Sequence, residues 1–440
     1  MIRDTGTNQP LSALDTWLTK LEKQHPNAID LGLDRVKTVA QRAGLDQLDS
    51  FIITIAGTNG KGSSVEMLQS ILLAAGYSVG AYTSPHLLHF NERIMLNRQP
   101  VSDEEICSAF AWIEAQRHNI SLTYFEFATL AAAYIFKQQS CQVVLLEVGL
   151  GGRLDAVNIY DADIALITSI GLDHTEWLGD SRELIGREKA GIARAGKPLI
   201  CADPNPPATI AKVAEETSAL LMLAGHDFCY EMRPDGGWSW SSLRQTFTNL
   251  SELTLPGQHQ YQNAAGVLQV ICAMAEMLPV SEAAIRQGLV NTTISGRLQV
   301  IPGVFDTLLD VAHNQDSVQQ LGTFLHDYNQ KRKGRVLAVF SALSDKDINA
   351  LVSPVHAYVD QWFLAPLKSQ RAMPLETLSN GIEAVVQAQA RDKIPSRPLV
   401  ISCDTIAQAW SKACSDACAG DLVVVYGSFI TVAEVLKLAL

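Results

Sequence analysis

Short apolar runs alternate along the chain with longer segments in which apolar residues recur at helical spacing. The short runs are typical of buried strands and the longer spacing is typical of helices. Their alternation predicts repeated strand–helix–strand units and a mostly parallel sheet. In the first half we predict strands at 51–56, 77–83, 142–148, 163–169 and 198–201, and helices at 63–75, 103–118, 124–138 and 181–194.

The pattern changes near residue 225. Residues 238–241 and 246–255 alternate as antiparallel strands with one exposed face do. Helical spacing returns at 259–277 and 281–290, and the turn-rich segment 291–296 then breaks it. Beyond the break a second series begins, with strands predicted at 307–311, 335–340, 361–364, 399–402 and 422–427. We therefore predict two α/β domains, residues 1–296 and 297–440.

The composition narrows the class of protein. Lys and Arg number 34 against 46 Asp and Glu, a net charge of −12, and such an acidic surface repels nucleic acid. Apolar residues make up 47% of the chain, enough for sizeable cores, yet no apolar run approaches the roughly 18 residues that cross a bilayer. The first ten residues lack the apolar core of an export signal, and the eight cysteines never form a C-x-x-C pair. We expect a soluble, cytoplasmic protein that binds neither nucleic acid nor membrane.

The most informative motif lies between the first predicted strand and the helix after it, and reads Gly57-Thr-Asn-Gly60-Lys61-Gly62-Ser63. Small residues let backbone N–H groups approach a phosphate, while a lysine and a hydroxyl at the helix start suit the outer phosphates and Mg²⁺. The motif departs from the strict G-x-x-x-x-G-K-[ST] pattern, because residue 55 is Ile and Gly62 follows Lys61. A glycine turn that binds nothing is the alternative; we favour nucleotide phosphate binding.

Glu147, Asp173 and His174 come at the ends of two further predicted strands. Ligands of open parallel sheets bind beyond the carboxyl ends of the strands, so these groups should share a crevice with the phosphate loop. Glutamate oxygen, histidine nitrogen and a hydroxyl can hold Mg²⁺ or Mn²⁺, which predicts a divalent metal site. Taken singly, a solvated strand-end glutamate and a surface or capping histidine are the plainer interpretations.

Four other residues each have two interpretations. Lys189 reads as the middle of a helix, and its position alone predicts an exposed helical lysine. Arg297 follows the predicted domain boundary, and a surface ion pair made by a linker arginine is its plainer interpretation. Asp310 and His313 end a strand, where they either face a ligand or cap the next helix.

Together these motifs resemble those of the folylpolyglutamate synthase and dihydrofolate synthase group of the Mur ligase superfamily. The matching segments keep one order and span nearly the whole chain. They are GTNGKGS at 57–63, TSPHL at 83–87, FNERI at 90–94, LEVGLGGRLDAVN at 146–158, SIGLDHTEWLG at 169–179, REKAGI at 187–192, LPGQHQYQNA at 255–264, GRLQ at 296–299, DVAHN at 310–314 and SALSDKD at 341–347. So many ordered matches identify the chain as a member of this group, of the bifunctional bacterial type.

The resemblance implies a P-loop-type ATP-binding domain with a mostly parallel sheet and a small antiparallel section. A Rossmann-like α/β domain follows it, and the active site lies between the two. The implied catalytic residues are Lys61, His174 and Lys189. The implied ATP contacts are Gly57, Thr58, Asn59, Gly60, Lys61, Gly62, Ser63, Asn263, Arg297, Asp310 and His313, with Arg297 at phosphate and Asp310 at the nucleoside end. Two Mg²⁺ ions would be held by Ser63, Ser84, Glu147 and His174, and whether a monovalent cation joins them stays open.

For Lys189 the resemblance contradicts what the position in a helix suggests. Members of the group carry a carbamylated lysine (N6-carboxylysine) there, which converts a cation into an anionic oxygen ligand. Forming the carbamate requires a neutral amine, which burial supplies by lowering the pKa.

The resemblance also implies the substrates. Asp30, Leu31 and Gly32, then Thr123, Tyr124, Phe125 and Glu126, then Leu154, Asp155 and Ala156 match the region that binds dihydropteroate in bifunctional members. ATP would convert the acceptor carboxylate to an acyl phosphate, which the amine of L-glutamate attacks; tetrahydrofolate would be the second acceptor. A monomer is implied as well. Three alternatives stay open: a monofunctional folylpolyglutamate synthase, a Mur-type ligase with another acceptor, and a nucleotide-binding regulatory module without catalysis.

Overall fold

The computed structural model describes residues 12–27, 29–331, 334–389 and 399–439. The first ten residues, on which the expectation of no export signal rests, lie outside the described residues. Within these ranges the strands form three sheets. The first contains β1 Phe51–Ala56, β2 Val79–Tyr82, β3 Ile94–Leu96, β4 Gln99–Pro100, β5 Val143–Glu147, β6 Ile164–Ile167, β7 Pro198–Cys201 and β8 Leu220–Leu223. The second contains β9 Phe228–Met232, β10 Trp238–Ser242 and β11 Thr246–Leu250. The third contains β12 Gln299–Ile301, β13 Asp306–Leu309, β14 Val336–Phe340, β15 Gln361–Leu364, β16 Leu399–Ser402 and β17 Leu422–Tyr426.

Helices connect these strands. In the first part of the chain they are α1 Ala13–Gln24, α2 Asp34–Ala43, α3 Lys61–Ala74, α4 Asp103–Arg117, α5 Tyr124–Gln138, α6 Thr175–Leu178, α7 Arg182–Ala190, α8 Thr209–Thr217, α9 His259–Met274 and α10 Glu282–Val290. In the last part they are α11 Gln315–Lys331, α12 Ile348–Val352, α13 Leu375–Gln389, α14 Ile406–Asp416 and α15 Phe429–Ala439. Single 3₁₀ turns occur at Phe90–Arg93, Ala156–Ile159 and His356–Tyr358.

The order of strands in the first sheet is β4-β3-β2-β5-β1-β6-β7-β8. Strands β2, β5, β1, β6, β7 and β8 run parallel, and β3 and β4 add an antiparallel edge. Because β1 lies between β5 and β6, the loops after these three strands meet at one edge of the sheet. These loops carry the glycine motif, the residues after Glu147 and the pair Asp173–His174.

The two faces of this sheet bury different helices. Side chains alternate along a strand, so Ile52 and Ala56 of β1 join one core while Ile53 and Ile55 join the other. The first core takes α1, α2, α4, α5, α7 and α8, and the second takes α3, α9 and α10. The small second sheet packs on the second core through Trp240, whose indole N–H donates to Ala265 O at 3.1 Å.

The third sheet has the order β12-β13-β17-β14-β15-β16, parallel except for β12. Helices cover both of its faces. Two mostly parallel sheets and a small antiparallel one confirm the predicted α/β class. The first part ends with α10 at Val290 and β12 begins at Gln299, so the predicted boundary at 296/297 lies in the connection, and it stays a prediction.

The differences from the predicted elements are local. Helices α1, α2, α6 and α8 and strands β3, β4, β8, β9 and β12 were not predicted. Polar residues predominate in α1 and α2, and the strands are short. The helix predicted over 181–194 ends at Ala190. The next residue, Gly191, packs against Arg153 so closely that a Cβ added to this glycine would lie 2.7 Å from Arg153 Cα. All eight cysteines are unpaired, and Cys229 and Cys418 are exposed. In the part of the chain that the structure describes, no helix has the length and apolar character needed to cross a membrane.

Candidate active site

A cavity of about 1100 Å³ lies where the carboxyl ends of the first and third sheets face each other. It is lined by every residue assigned above to ATP, metal, catalysis or acceptor except Tyr124. The Tyr124 ring packs edge-on against Phe90 at 5.9 Å and lies 5.5 Å from the Arg93 guanidinium, outside the cavity lining. The side chain that follows it in the helix, Phe125, does line the cavity.

The glycine motif forms a tight loop between β1 and α3. Gly60 has a left-handed φ of 87°, and a methyl group there would collide with the amide of Asn263. Lys61 begins α3 and folds back over the loop, donating from Nζ to Gly57 O at 2.9 Å and Thr58 O at 3.3 Å. Burial lowers the pKa of Lys61, and the nearby Glu147 carboxylate opposes this shift only in part. The loop therefore presents a cation and backbone N–H groups to the cavity, as a phosphate requires.

Glu147 is 4% exposed, so the solvated interpretation does not hold. Its Oε2 accepts a hydrogen bond from Ser84 N at 3.2 Å, and its Oε1 accepts none from any described residue. Burial raises the pKa of this carboxyl, while Lys61 and Arg297 lower it. A buried carboxylate with one unshared oxygen facing a cavity is a site for a further cation.

His174 ends the loop that follows β6. Its backbone is left-handed, with φ 51° and ψ 39°. Asp173 Oδ1 accepts a hydrogen bond from His174 N at 2.9 Å. Burial lowers the pKa of His174, although the Asp173 carboxylate raises it. The imidazole is therefore neutral near pH 7, the form that ligates a metal.

Lys189 is 4% exposed, so the expectation of an exposed helical lysine is wrong. It is the penultimate residue of α7. Gly152, in the loop after β5, packs closely against it, since a Cβ added to this glycine would lie 3.1 Å from Lys189 Cα. Burial, with a contribution from Lys61, lowers the pKa of Lys189 to about 7. Its amine donates no hydrogen bond to a described residue. Both features suit a carbamate, because the amine must be neutral and have room to react.

The second domain contributes Arg297, Asp310 and His313. A methyl on Gly62 would lie 3.1 Å from a guanidinium nitrogen of Arg297, so this arginine reaches the start of α3. Asp310 accepts hydrogen bonds from Leu298 N at 2.9 Å and Ala312 N at 2.7 Å, and burial raises its pKa to about 6. His313 bonds through Nδ1 to Val311 O at 2.8 Å.

The capping role considered for Asp310 and His313 belongs instead to Asn314, whose Oδ1 accepts from Ser317 N at 3.0 Å. Asn314 also donates to Asp173 Oδ2 at 3.0 Å, and its amide pairs with that of Asn59 at 3.1 Å. Asn314 and Lys346 are site residues that the sequence did not single out. Their place after the strands β13 and β14, within the motifs DVAHN and SALSDKD, was the available signal.

Apart from Tyr124, the residues assigned to the acceptor line the same cavity. Asp155 accepts hydrogen bonds from Leu150 N at 2.8 Å and Val157 N at 3.1 Å, and burial raises its pKa to about 7. Phe125 lies against Gly149, where a Cβ would come within 2.6 Å of its ring. The cavity therefore contains an aromatic face and a buried carboxyl group, which suit a flat heterocycle with N–H donors.

The donors around Glu147 fit Mg²⁺ carried by a nucleotide. Among the described residues no three His, Cys, Asp or Glu side chains cluster as a resident metal site would require. Mg²⁺ in nucleotide enzymes uses one or two protein carboxylates and takes its other oxygens from phosphates and water. The carboxylate of Glu147 matches that pattern, and the imidazole of His174 and the hydroxyls of Ser63 and Ser84 are further donors that line the same cavity.

Comparisons with known proteins agree with this geometry. A family model described as "Mur ligase middle domain" matches residues 55–271, and one described as "Mur ligase, glutamate ligase domain" matches residues 296–429. The chain is 44% identical to the dihydrofolate synthase/folylpolyglutamate synthase of Escherichia coli, covering 98% of this chain and 96% of that protein.

Two solved structures are similar over nearly their full length. One is E. coli FolC in complex with DHPP and ADP, 44% identical, with a TM-score of 0.89 over 98% of this chain and 99% of that one. The other is the bifunctional folylpolyglutamate synthase/dihydrofolate synthase of Yersinia pestis complexed with AMPPNP and Mn ion. It is 42% identical, with a TM-score of 0.87 over 98% of this chain and 100% of that one.

Proposed function

This chain belongs to the dihydrofolate synthase/folylpolyglutamate synthase family of Mur ligases, and we propose that its cavity joins L-glutamate to dihydropteroate and to tetrahydrofolate at the expense of ATP. The family resemblance predicted from the sequence is confirmed. The proposal is carried by one observation: Lys61 of the first domain and Arg297 of the second both reach the phosphate loop.

The first step activates the acceptor. Its carboxylate oxygen attacks the γ-phosphorus of ATP, and the bond between that phosphorus and the oxygen bridging to the β-phosphate breaks. ADP departs, and the acceptor carries an acyl phosphate. Two anions must approach, so Lys61 and Arg297 offset the charge on the transferred phosphoryl group. Bound Mg²⁺ would add positive charge there, held by Glu147, His174, Ser63, Ser84 and a carbamate on Lys189.

The second step forms the amide. The neutral amine of glutamate attacks the acyl carbon, the carbon–oxygen bond to phosphate breaks, and the amine loses a proton to water. Holding the amine in line with the acyl carbon supplies much of the rate. The cavity between the domains keeps water from the acyl phosphate, which would otherwise hydrolyse.

Several finer features stay predictions. They are the number of Mg²⁺ ions, a monovalent cation, the monomeric state and the cytoplasmic location. The unshared oxygen of Glu147 supports at least one divalent ion bound with ATP.

A paired assay tests the function. ADP release is followed with dihydropteroate and then with tetrahydrofolate, each with glutamate present and absent. We expect glutamate-dependent ADP release with both acceptors. Activity with tetrahydrofolate alone would indicate a monofunctional folylpolyglutamate synthase, and activity with neither would leave a ligase for another acceptor or a regulatory module.

A further inference from the structure

Arg35 contacts two of the residues assigned to the acceptor, Asp30 and Glu126, without itself lining the cavity. It is the second residue of α2, and its side chain is 28% exposed. Its guanidinium connects the segment before α2 to the start of α5, two segments about 90 residues apart that both carry acceptor residues.

The guanidinium grips Asp30 at two points. It donates from one terminal nitrogen to Asp30 Oδ2 at 2.8 Å and from the other to Asp30 O at 2.7 Å. The second nitrogen also donates to Glu126 Oε1 at 3.2 Å. Asp30 is thereby fixed in both backbone and side chain, which a planar, forked cation achieves and a point charge does not.

The carboxylates of Asp30 and Glu126 differ in their exposure and in how many of their oxygens are hydrogen-bonded within the protein. Glu126 is 4% exposed at its side chain, with Oε1 on Arg35 and Oε2 on Thr123 N at 2.7 Å. Asp30 is 34% exposed at its side chain and lines the cavity. Its Oδ2 accepts from Arg35 and also lies 3.5 Å from Nε2 of the His25 side chain, which is 6% exposed, while its Oδ1 accepts no hydrogen bond from a described residue. Both carboxylates line the cavity, but both oxygens of Glu126 are hydrogen-bonded while Asp30 keeps one oxygen without a described donor. Asp30 is therefore the more available to a ligand, and Glu126 supports Arg35.

The ring of dihydropteroate presents several N–H donors, and a carboxylate is the matching acceptor. Asp30 and Asp155 both line the cavity, and Asp30 is the one that Arg35 holds. Such a contact is strong only when the carboxylate is held in place before the ligand arrives. An Asp30 free to rotate on a loop would lose that advantage. Arg35, which is hydrogen-bonded to the buried Glu126, restricts this rotation of Asp30.

We propose that Arg35 is a positioning residue for the acceptor, which sets the affinity for dihydropteroate by fixing Asp30 against Glu126 and never touches the substrate. The inference rests on the proposed function. It predicts a defect confined to acceptor binding, since the phosphate loop lies on other elements.

The test compares Arg35→Met, Arg35→Lys and Arg117→Met in steady-state assays with dihydropteroate and ATP varied separately. Arg117 is the matched control, because it also grips a carboxylate, Glu114, at 2.8 Å and a carbonyl, that of Ile120, at 3.1 Å, away from the cavity lining. We expect Arg35→Met to raise the KM for dihydropteroate about tenfold or more, because a change of this size corresponds to the loss of one charge-assisted hydrogen bond. The KM for ATP and kcat at saturation should change less than about twofold, and Arg35→Lys should lie between.

A double variant separates positioning from general damage. If Arg35 acts through Asp30, Arg35→Met combined with Asp30→Asn should raise the KM no further than the more severe single variant. Multiplicative effects, an unchanged KM in Arg35→Met, or equal rises for ATP and dihydropteroate would overturn the inference. Should Arg35→Met fail to fold, Arg35→Lys carries the same comparison. Failure of wild-type enzyme to use dihydropteroate would refute the proposed function instead, so the two failures are distinguishable.

Discussion

Lys346 Nζ of the second domain lies 2.7 Å from Asp173 Oδ1 of the first, and both side chains are 10% exposed. Burial alone would raise the pKa of Asp173, but His174, Lys346 and His313 hold it well below its usual range. Asn314 donates to the other oxygen of the same carboxylate at 3.0 Å. Asp173, the residue before His174, is therefore held by side chains that follow β13 and β14 of the third sheet, and we expect the placement of His174 to depend on how the first and third sheets come together.

Replacing Lys346 should slow turnover more than it weakens ATP binding. Lys346→Met leaves Asp173 buried without its ion pair, a change that costs about 3–5 kcal/mol in a fully buried pair and less here. We expect kcat to fall at least tenfold, because the closed arrangement becomes less populated. Lys197→Met is the control, since Lys197 makes a 2.8 Å pair with Asp163 but is 44% exposed. Equal kcat values for the two variants would disprove this dependence.

Removing the phosphate-loop lysine should abolish both activities. Lys61→Ala deletes the cation that lies over the loop, where charge on the transferred phosphoryl group must be balanced. We expect turnover with dihydropteroate and with tetrahydrofolate to fall by about 10³-fold, as for loss of a strong transition-state contact. Circular dichroism and thermal unfolding establish that the variant is folded. Normal rates with either acceptor would remove this role from Lys61.

Lys189 should act only when it is carbamylated. Lys189→Ala is expected to lose activity and to recover part of it with a short carboxylic acid, which supplies the missing oxygens. In wild-type enzyme ¹³C-labelled CO₂ should give a carbamate signal that fades as the pH falls below about 7, because the amine becomes protonated. An intact mass or density showing a plain amine in active enzyme would contradict the assignment.

The same lysine should make stability depend on pH in CO₂-free buffer. Its folded pKa of about 7 lies below the unfolded value of 10.5, so the unfolded chain binds more protons between these values. The free energy of unfolding therefore rises with pH from about 7 to 10.5, and the cost, at most about 5 kcal/mol, is fully present below pH 7. Denaturant titrations should give Lys189→Ala a flatter profile than wild type across this window. Identical slopes would show that Lys189 is not buried as a neutral amine.

Close packing of α10 on the phosphate-loop helix should be sensitive to one methyl group. A Cβ on Gly288 would lie 2.5 Å from Ile71 Cα in α3. Gly288→Ala should therefore lower the free energy of unfolding by about 1–3 kcal/mol despite the better helix propensity of alanine. Gln287→Ala, on the exposed side of the same helix, should stay within about 0.5 kcal/mol of wild type. Unchanged stability in Gly288→Ala would mean that the two helices can separate freely.

Much of the fold was readable because strands and helices are encoded locally. Strands β1, β7, β15 and β16 and helix α5 have the predicted bounds, since each is an apolar run or periodic segment ended by polar or turn residues. The phosphate loop was readable for the same reason: seven consecutive residues contain the glycines, the lysine and the hydroxyl. Helices α1 and α2 were missed because polar residues predominate in both.

By itself the sequence determined the alternation of strands and helices in two α/β series, the phosphate-loop motif and, through its ordered motifs, the family. Only the tertiary structure decided that Lys189 is buried, that Tyr124 does not line the cavity, that Arg35 binds Asp30 and that Lys346 reaches Asp173. The physical reason is that burial and charge pairing depend on which distant segments pack together. Asp173 and Lys346 are 173 residues apart, and no local pattern in either segment specifies the other.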